Sequence, residues 1–320
     1  MVGTLRIGAA LALTGRFARF GGQAAAGLRA WRDLGGGAEI EILDDGSSPG
    51  SVGPALDALA ERCDLLLGPY GTSTARAAAR WAHEHDRLVW NHGGAGSDLS
   101  ELAPRRLVSL ITPTERYGES FVQHLAARHP GTGLRLVSGP GTFGPQVVDG
   151  MRRTATVLGV PLTGHGDALF TAGTFEHDTA LIADLPHRPA VLGTVAAGVR
   201  AFADAVPDPD GVFGVAQWMP GTGRTVEVGP DEDAFVARYR SITGTDPDYP
   251  AAQAAAAAAI AVHCASASGS TDPDALWAAA AGLRTTTLYG DFGIDPTSGA
   301  QTDHAMVLVR WRGGALVPVV

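Results

Sequence analysis

The chain is 320 residues long, 45% hydrophobic and 18% charged, with a formal net charge of −9. That is enough apolar material for about two globular domains, and the acidic balance, with no Lys/Arg run, argues against nucleic acid or an anionic membrane surface as partner. Cys63 and Cys264 are the two cysteines; they exclude a cysteine-only metal site and read as buried thiols.

Leu5–Leu13 reads as the first strand, and Gly22–Leu34 as a helix with Ala24, Leu28 and Trp31 at core spacing. Ala38–Leu43 alternates like a strand, and Asp44-Asp45-Gly46 closes it. Val52–Arg62 is helical, with Leu56, Leu59 and Ala60 on one face. The stretch from Cys63 to Leu99 is the one around which the chain is organised. Its apolar run Leu65–Leu67 ends at Gly68-Pro69-Tyr70-Gly71. Thr72, Ser73 and Thr74 offer hydroxyls where the next helix begins, and Ala75–Ala82 continues it in strong helix formers. A second run, Leu88–Trp90, breaks into Asn91-His92-Gly93-Gly94-Ala95-Gly96-Ser97. Both turns fall at the carboxyl ends of strands, the edge of an open parallel sheet where small ligands bind. Leu107–Ile111 is another strand, completing a βαβαβαβ pattern.

Around Thr112–Glu115 the pattern restarts. Arg116–Arg128 reads as a helix, Leu134–Ser138 as a strand and Pro145–Leu158 as a helix. Val160–Thr163 and Ala190–Leu192 read as strands, with helices near Phe175–Ala183 and Val199–Ala205, then a strand at Gly211–Ala216. The Ala-rich helix Ala251–Ala267 and a second, Asp274–Ala281, return to the first domain. The tail, His304–Trp311 and Ala315–Val319 around Gly313-Gly314, reads as a β-hairpin. The longest apolar stretch, Ala254–Val262, is short of the ~20 residues a bilayer span needs, so no membrane insertion is expected. Met1-Val2-Gly3-Thr4 leads straight into the first strand without a signal-peptide pattern. The chain therefore reads either as trimmed to its folded part or as working inside the cell.

Several motifs invite catalytic readings. Gly139-Pro140-Gly141-Thr142-Phe143-Gly144 is a literal G-x-G-x-x-G between a strand and a helix. Yet Pro140 removes an amide that a phosphate would use, and Asp167 comes too late in the chain, so a ligand-loop turn is the better reading. Gly71-Thr72-Ser73-Thr74-Ala75 approximates a nucleophile elbow, with Ser73 as nucleophile and His304 as base. The second glycine is missing and no acid is placed, which favours a helix-capping cluster. His83 and His85 point to different faces of a helix, and Asp208-Pro209-Asp210-Gly211 lacks the remaining ligands of a calcium loop. No cofactor, metal or catalytic residue is expected. A binding cleft accounts for more residues together: Thr72 with neighbouring amides at a helix N-terminus makes an anion site, and Trp90, Asn91, His92 and Trp218 suggest an aromatic-lined pocket. Arg16 or Arg19, beside Phe20, is placed to pair with an acidic group.

G-P-Y-G-T-S-T-A at 68–75 and L-V-W-N-H-G-G-A at 88–95 resemble the ligand loops of the branched-chain amino acid-type periplasmic binding proteins, the type I solute-binding proteins of ABC transporters. Ile7–Gly21 resembles that family's opening strand and loop. Asp44-Asp45, Phe143-Gly144, and Tyr249 with Gln253 extend the likeness over nearly the whole chain. The resemblance implies two doubly wound Rossmann-like parallel-sheet α/β domains joined by a multi-crossing hinge near Thr112–Thr114 and Tyr249. The lobes would be 1–113 plus about 249–292 and 114–248 plus about 293–320, with a small ligand held in a cleft that closes between them. It implies Thr72 as the hydroxyl that grips a ligand carboxylate, Gly93 and Ala95 as the partner loop, and Phe20, Phe143 and Tyr249 as cleft walls, with Tyr70 also among the ligand-binding residues. The family holds an α-ammonium with a hydroxyl in the second loop and an acid from the other domain. Here those positions fall on Ala95 and Gln217, and a neutral amide does not offset a buried ammonium. An aromatic or other small carboxylate, or an amide, is therefore expected rather than free leucine or valine, with an ABC permease as partner if the chain is exported. The alternative is a cytoplasmic ligand sensor on the same fold.

Overall fold

The structure, a computed structural model, describes residues 4–221 and 223–319. Met1–Gly3, on which the expectation about a leader rests, lie outside the described residues. The chain forms two compact units, Met1–Thr112 with Pro220–Ala305 and Pro113–Met219 with Met306–Val320.

The first unit opens with β1 (Leu5–Leu11), α1 (Ala18–Asp33), β2 (Ala38–Asp44), α2 (Pro49–Ala60), β3 (Leu65–Leu67), α3 (Thr72–Glu84), β4 (Val89–Asn91), α4 (Leu99–Leu102) and β5 (Leu107–Ser109). Its five strands form a parallel sheet in the order β2-β1-β3-β4-β5. All three residues of β3 and of β4 are buried, as expected of central strands covered on both faces. Leu56, Leu59, Ala78, Ala82 and Val89 share one core layer beneath α2 and α3.

The second unit contains α5 (Glu119–Arg128), β6 (Leu134–Ser138), α6 (Phe143–Leu158), β7 (Ala168–Ala172), α7 (Phe175–Ala183), β8 (Val191–Thr194), α8 (Phe202–Ala205) and β9 (Phe213–Ala216). Two expectations change here. Val160–Thr163 is not a strand; only an isolated bridge joins Leu162 to Leu134. The strand beside β6 is β7, a run buried at every position. Such a run has no alternation to announce it, whereas Pro161 and exposed Leu162 belong to a connection. The helix expected from Arg116 begins only at Glu119, after a turn of 3-10 helix at Thr114–Arg116.

The chain then returns to the first unit as α9 (Glu232–Thr243), α10 (Tyr249–Ser268), α11 (Pro273–Gly282) and a short ribbon of β10 (Thr285–Thr286) with β11 (Asp291–Phe292). The return starts at Pro220, earlier than the expected 249, because α9 belongs to the first unit. Asp231 caps it by accepting from the amides of Asp233 and Ala234, and Arg238 reaches Asp33 at the end of α1. Segment 293–305 also stays with the first unit. Gln301 Nε2 donates to the Leu110 carbonyl at 3.1 Å, and Thr112 Oγ1 pairs with His304 Nδ1 at 2.6 Å. α10 is long and apolar enough to cross a bilayer, unlike the shorter run read from the sequence, but 72% of its most apolar window is buried inside the protein. Its alanines let it lie in the core of the first unit. The tail, β12 (Val307–Arg312) and β13 (Ala315–Pro318), is the expected hairpin and adds two antiparallel strands to the second sheet, giving the order β13-β12-β9-β8-β7-β6. Two α/β units built on parallel sheets are the fold the sequence implied.

Candidate ligand-binding site

The carboxyl edge of the first sheet gathers the loops after β1, β2, β3 and β4. The loop after β1 is bolted to the loop after β2. Asp44 Oδ1 accepts from the amides of Leu13 (2.9 Å), Thr14 (3.1 Å) and Gly46 (2.9 Å), and Oδ2 accepts from Thr14 Oγ1 (2.6 Å). The Thr14 hydroxyl, with these amides, holds the Asp44 carboxyl below the usual range. Ser47 Oγ donates to the Thr14 carbonyl at 2.6 Å and accepts from the Phe17 amide at 3.0 Å. These bonds set where α1 begins, and so where its first aromatic residues stand.

Phe20 stacks on Tyr70 with ring centroids 4.5 Å apart and an interplanar angle of 12°. Phe17 meets the same ring edge-on at 5.5 Å, and Tyr249 lies 6.3 Å from Phe20. The Tyr70 and Tyr249 hydroxyls are hydrogen-bonded to each other. Burial pushes the Tyr70 phenol up to about 12, so it stays protonated at neutral pH. Arg16 and Arg19 lie over the Phe17 and Phe20 rings at 4.5 and 4.6 Å, which keeps the aromatic group on an electropositive border. Phe17 was not among the expected wall residues, although its spacing of three from Phe20 near a helix start was a usable signal.

Next to this wall α3 begins. Gly71 has φ +100°, and a Cβ there would sit 2.7 Å from the Phe17 ring. Only glycine takes that conformation freely and leaves room for the ring. The Gly71 amide donates to the Gly93 carbonyl at 2.9 Å, joining the two loops. Thr74 Oγ1 donates back to the Tyr70 carbonyl at 2.6 Å, so its hydroxyl is spent within the turn. Thr72 is half-buried and Ser73 exposed. The first-turn amides of α3 lack intrahelical acceptors, and their dipole favours an anion.

The second loop differs from the expectation. Asn91 is 1% exposed; its Nδ2 donates to the Gly94 carbonyl at 2.7 Å and to Ser109 Oγ at 3.0 Å, while its Oδ1 accepts from the Gly94 amide at 2.9 Å. Its amide shapes the turn and has no capacity left for a ligand. His92 is 0% exposed, and its ring faces the backbone of Gly68 and of His92 itself without a well-aligned hydrogen bond. Burial pulls it down to about 4, so it is neutral. Trp90 is likewise core. At the loop's end Gly93 is half-buried and Ala95 buried, with Asp98 held by both Nε and Nη2 of Arg76 at 2.7 and 2.9 Å.

In the second unit Phe143 starts α6 and meets Tyr117 edge-on at 5.6 Å. The glycine-rich loop before it is a tight turn fastened by the Gly139 amide to the Ala172 carbonyl at 2.7 Å. Gln217 is half-buried after β9, and Trp218 is 4% exposed. An acid that no sequence pattern singled out is Asp178, in the first turn of α7 and 0% exposed. A groove of 450 Å³ along α5 and α6, lined by Glu119, Gln123, Arg153 and Val157 among others, includes none of the expected ligand residues.

The catalytic alternatives do not assemble. His304 is 1% exposed, bonded to Thr112 and stacked on Tyr289 at 4.2 Å, so its ring is engaged away from Ser73. Among the described residues no group of three or more His, Cys, Asp or Glu could hold a metal ion. Cys63 and Cys264 are both buried and unbridged.

With this geometry, the chain belongs to the periplasmic binding protein family, whose model matches residues 4–183 and 189–315. Three solved structures show the same fold. LivJ of Streptococcus pneumoniae, a branched-chain amino acid transporter substrate-binding protein in complex with isoleucine, is 13% identical with a TM-score of 0.79, covering 99% of each chain. A solute-binding protein of an ABC transporter from Rhodopseudomonas palustris HaA2, in complex with p-hydroxybenzoic acid, is 16% identical with a TM-score of 0.78 over 98% of this chain and 95% of that one. Another from R. palustris, in complex with benzoate, is 19% identical with a TM-score of 0.76 over 99% and 96%.

Proposed function

We propose that this chain is a non-catalytic solute-binding protein of the cell envelope that delivers a small aromatic carboxylate to an ABC permease. The observation that carries the reading is the carboxyl edge of the first sheet. There a helix N-terminus with an adjacent Thr72 hydroxyl stands beside a wall of Phe17, Phe20, Tyr70 and Tyr249. The carboxylate meets the amides and Thr72, and the ring stacks on the aromatic wall.

An α-ammonium has no acceptable place in this arrangement. Asp44 is committed to the loop it holds. Asp45 is 0% exposed, with Oδ1 accepting from the Ser47 amide at 2.7 Å. Ala95 supplies no hydroxyl. An ammonium left without an anionic partner costs more than the carboxylate grip returns. In a thermal-shift panel, benzoate and hydroxybenzoates are expected to raise the melting temperature more than leucine, isoleucine or valine at equal concentration. Micromolar or tighter binding of free leucine would overturn the ligand class.

The anchor is tested separately. Thr72→Ala is expected to weaken benzoate binding by about 1.5–3 kcal/mol, since it removes a hydrogen bond to a charged group, while Ser73→Ala leaves it within about twofold. Calorimetry showing Ser73 dominant and Thr72 silent would mean that the carboxylate lies elsewhere on the loop.

A further inference from the structure

We propose that Arg224 anchors a second acidic group of the ligand, so that the site on the first unit takes an aromatic dicarboxylate in preference to a simple benzoate; this rests on the carboxylate reading above. The chain returns to the first unit at Pro220, and Arg224 stands in the segment before α9. It is half-buried, and its one hydrogen bond among the described residues runs from Nη1 to the Tyr289 carbonyl at 3.3 Å. Arg76 and Arg106 of the same unit, also half-buried, meet Asp98 at 2.7 Å and Asp86 at 2.6 Å. Arg224 has no carboxylate partner among the described residues. A guanidinium offers five N–H donors in a planar fork that fits a carboxylate. A partly desolvated cation resting on one neutral carbonyl is an arrangement that an incoming anion completes. Arg87 also has only a carbonyl, but it precedes β4 and so lies at the amino edge of the sheet.

The neighbours of Arg224 tie it to the aromatic wall of the same unit. Tyr289 stacks flat on His304 with centroids 4.2 Å apart. A Cβ at Gly290 would lie 3.3 Å from Arg224 Nη1 and 2.8 Å from the His304 ring, so the bare glycine lets the turn of the ribbon lie against both. The Tyr289 hydroxyl accepts from Gln253 Nε2 at 3.1 Å, and Gln253 follows Tyr249 by one turn of α10. Burial holds the Tyr289 phenol above its ordinary range, while the Gln253 bond and the positive Arg224 act the other way. Tyr249 in turn meets Tyr70, hydroxyl to hydroxyl. Tyr70 therefore runs along the wall from one end to the other. Its carbonyl accepts from Thr74 in the first turn of α3, beside Thr72, and its hydroxyl meets Tyr249, on the side of Tyr289 and Arg224. A ring stacked along this wall with one carboxylate at Thr72 has its far end toward the arginine, which is the layout of two carboxylates para to each other on one arene.

The test is calorimetry with benzoate, terephthalate and the monomethyl ester of terephthalate on the wild type and on Arg224→Gln. The ester fills the same length as the diacid without the second charge. The wild type is expected to bind terephthalate about ten- to a hundredfold tighter than the ester, the scale of a hydrogen bond between charged groups. Arg224→Gln should bring the diacid and the ester to within about twofold of each other. Should the variant not fold, the Arg224 15Nε resonance of the wild type decides: it should move when terephthalate binds and stay when the ester does. A wild type that binds benzoate or the ester but does not prefer the diacid, a preference that survives Arg224→Gln, or an Arg224 signal indifferent to bound terephthalate would overturn the inference alone. Binding of none of the three compounds would overturn the carboxylate reading, and this inference with it.

Discussion

Gly27→Ala is expected to destabilise the protein by about 2–4 kcal/mol, in spite of the gain of up to ~1 kcal/mol that alanine brings to a helix interior. Gly27 lies in α1 where that helix crosses the start of α10. A Cβ at Gly27 would come within 2.3 Å of the Ala251 carbonyl oxygen and 2.7 Å of its Cα. Both are backbone atoms, so no side chain can rotate to make room and the helices must separate. Gly22 supplies the control: it lies in the same helix with nothing within 4 Å of its would-be Cβ. Gly22→Ala should be neutral or stabilising. Urea unfolding of the two variants measures the contrast, and a Gly27→Ala protein as stable as the wild type would show that the two helices are not in backbone contact. The same separation would move Tyr249, the first residue of α10, away from Phe20 and Tyr70, so weaker benzoate binding should accompany the loss of stability.

Asp45 and His92 give opposite pH dependences. Burial pushes the Asp45 carboxyl up from 3.8 to about 6 in the folded state. Between those values the folded protein holds the proton more tightly than the unfolded chain, so this group's contribution to stability falls as pH rises and is fully unfavourable above about pH 6. Burial pulls His92 down from 6.5 to about 4. There the unfolded chain holds the proton more tightly, so stability is lost as pH falls from 6.5 toward 4. The two slopes oppose each other across the same window in the wild type. Asp45→Asn keeps an acceptor for the Ser47 amide and removes the buried charge. It should add about 1–2 kcal/mol at pH 7.5 and leave a steeper acid-side loss governed by His92. Denaturant melts at pH 4.5, 6 and 7.5 are the measurement. An Asp45→Asn variant weaker than the wild type at pH 7.5 would show that the carboxylate has a partner that stabilises its charge.

How far the site could be read in advance depended on the range of the interactions involved. The place of Thr72 at the start of α3 was legible because a hydroxyl at the first turn of a helix after a strand is a local pattern, complete within a few residues. Phe20 and Tyr249 could be placed on one wall only through the resemblance, and Tyr70 joins them through contacts spanning up to 179 residues of chain. Asn91 was read as a ligand residue because it stands at a strand end, but side-chain direction at such a turn is set by which backbone groups need partners. Gly94 and Ser109 claimed it. His92 was turned inward in the same loop. Asp44, which the resemblance includes, is consumed by the amides of a loop thirty residues earlier in the sequence.

The sequence alone determined the strand–helix alternation, the parallel character of the first sheet, the hairpin tail and the glycine-marked turns at the carboxyl edges, because each arises from hydrophobic period and turn chemistry within a short window. It did not determine β7, whose buried run lacks a period, nor the membership of α9, whose place is decided by its packing against α1. Above all it did not reveal the setting of Asp178. Thr171, Gly173 and Thr194 come from two strand ends and meet that carboxylate only once the second sheet has formed. Hydrogen-bond satisfaction of a buried carboxyl group is a property of the folded neighbourhood, and only the tertiary structure decided which side chains were spent on it.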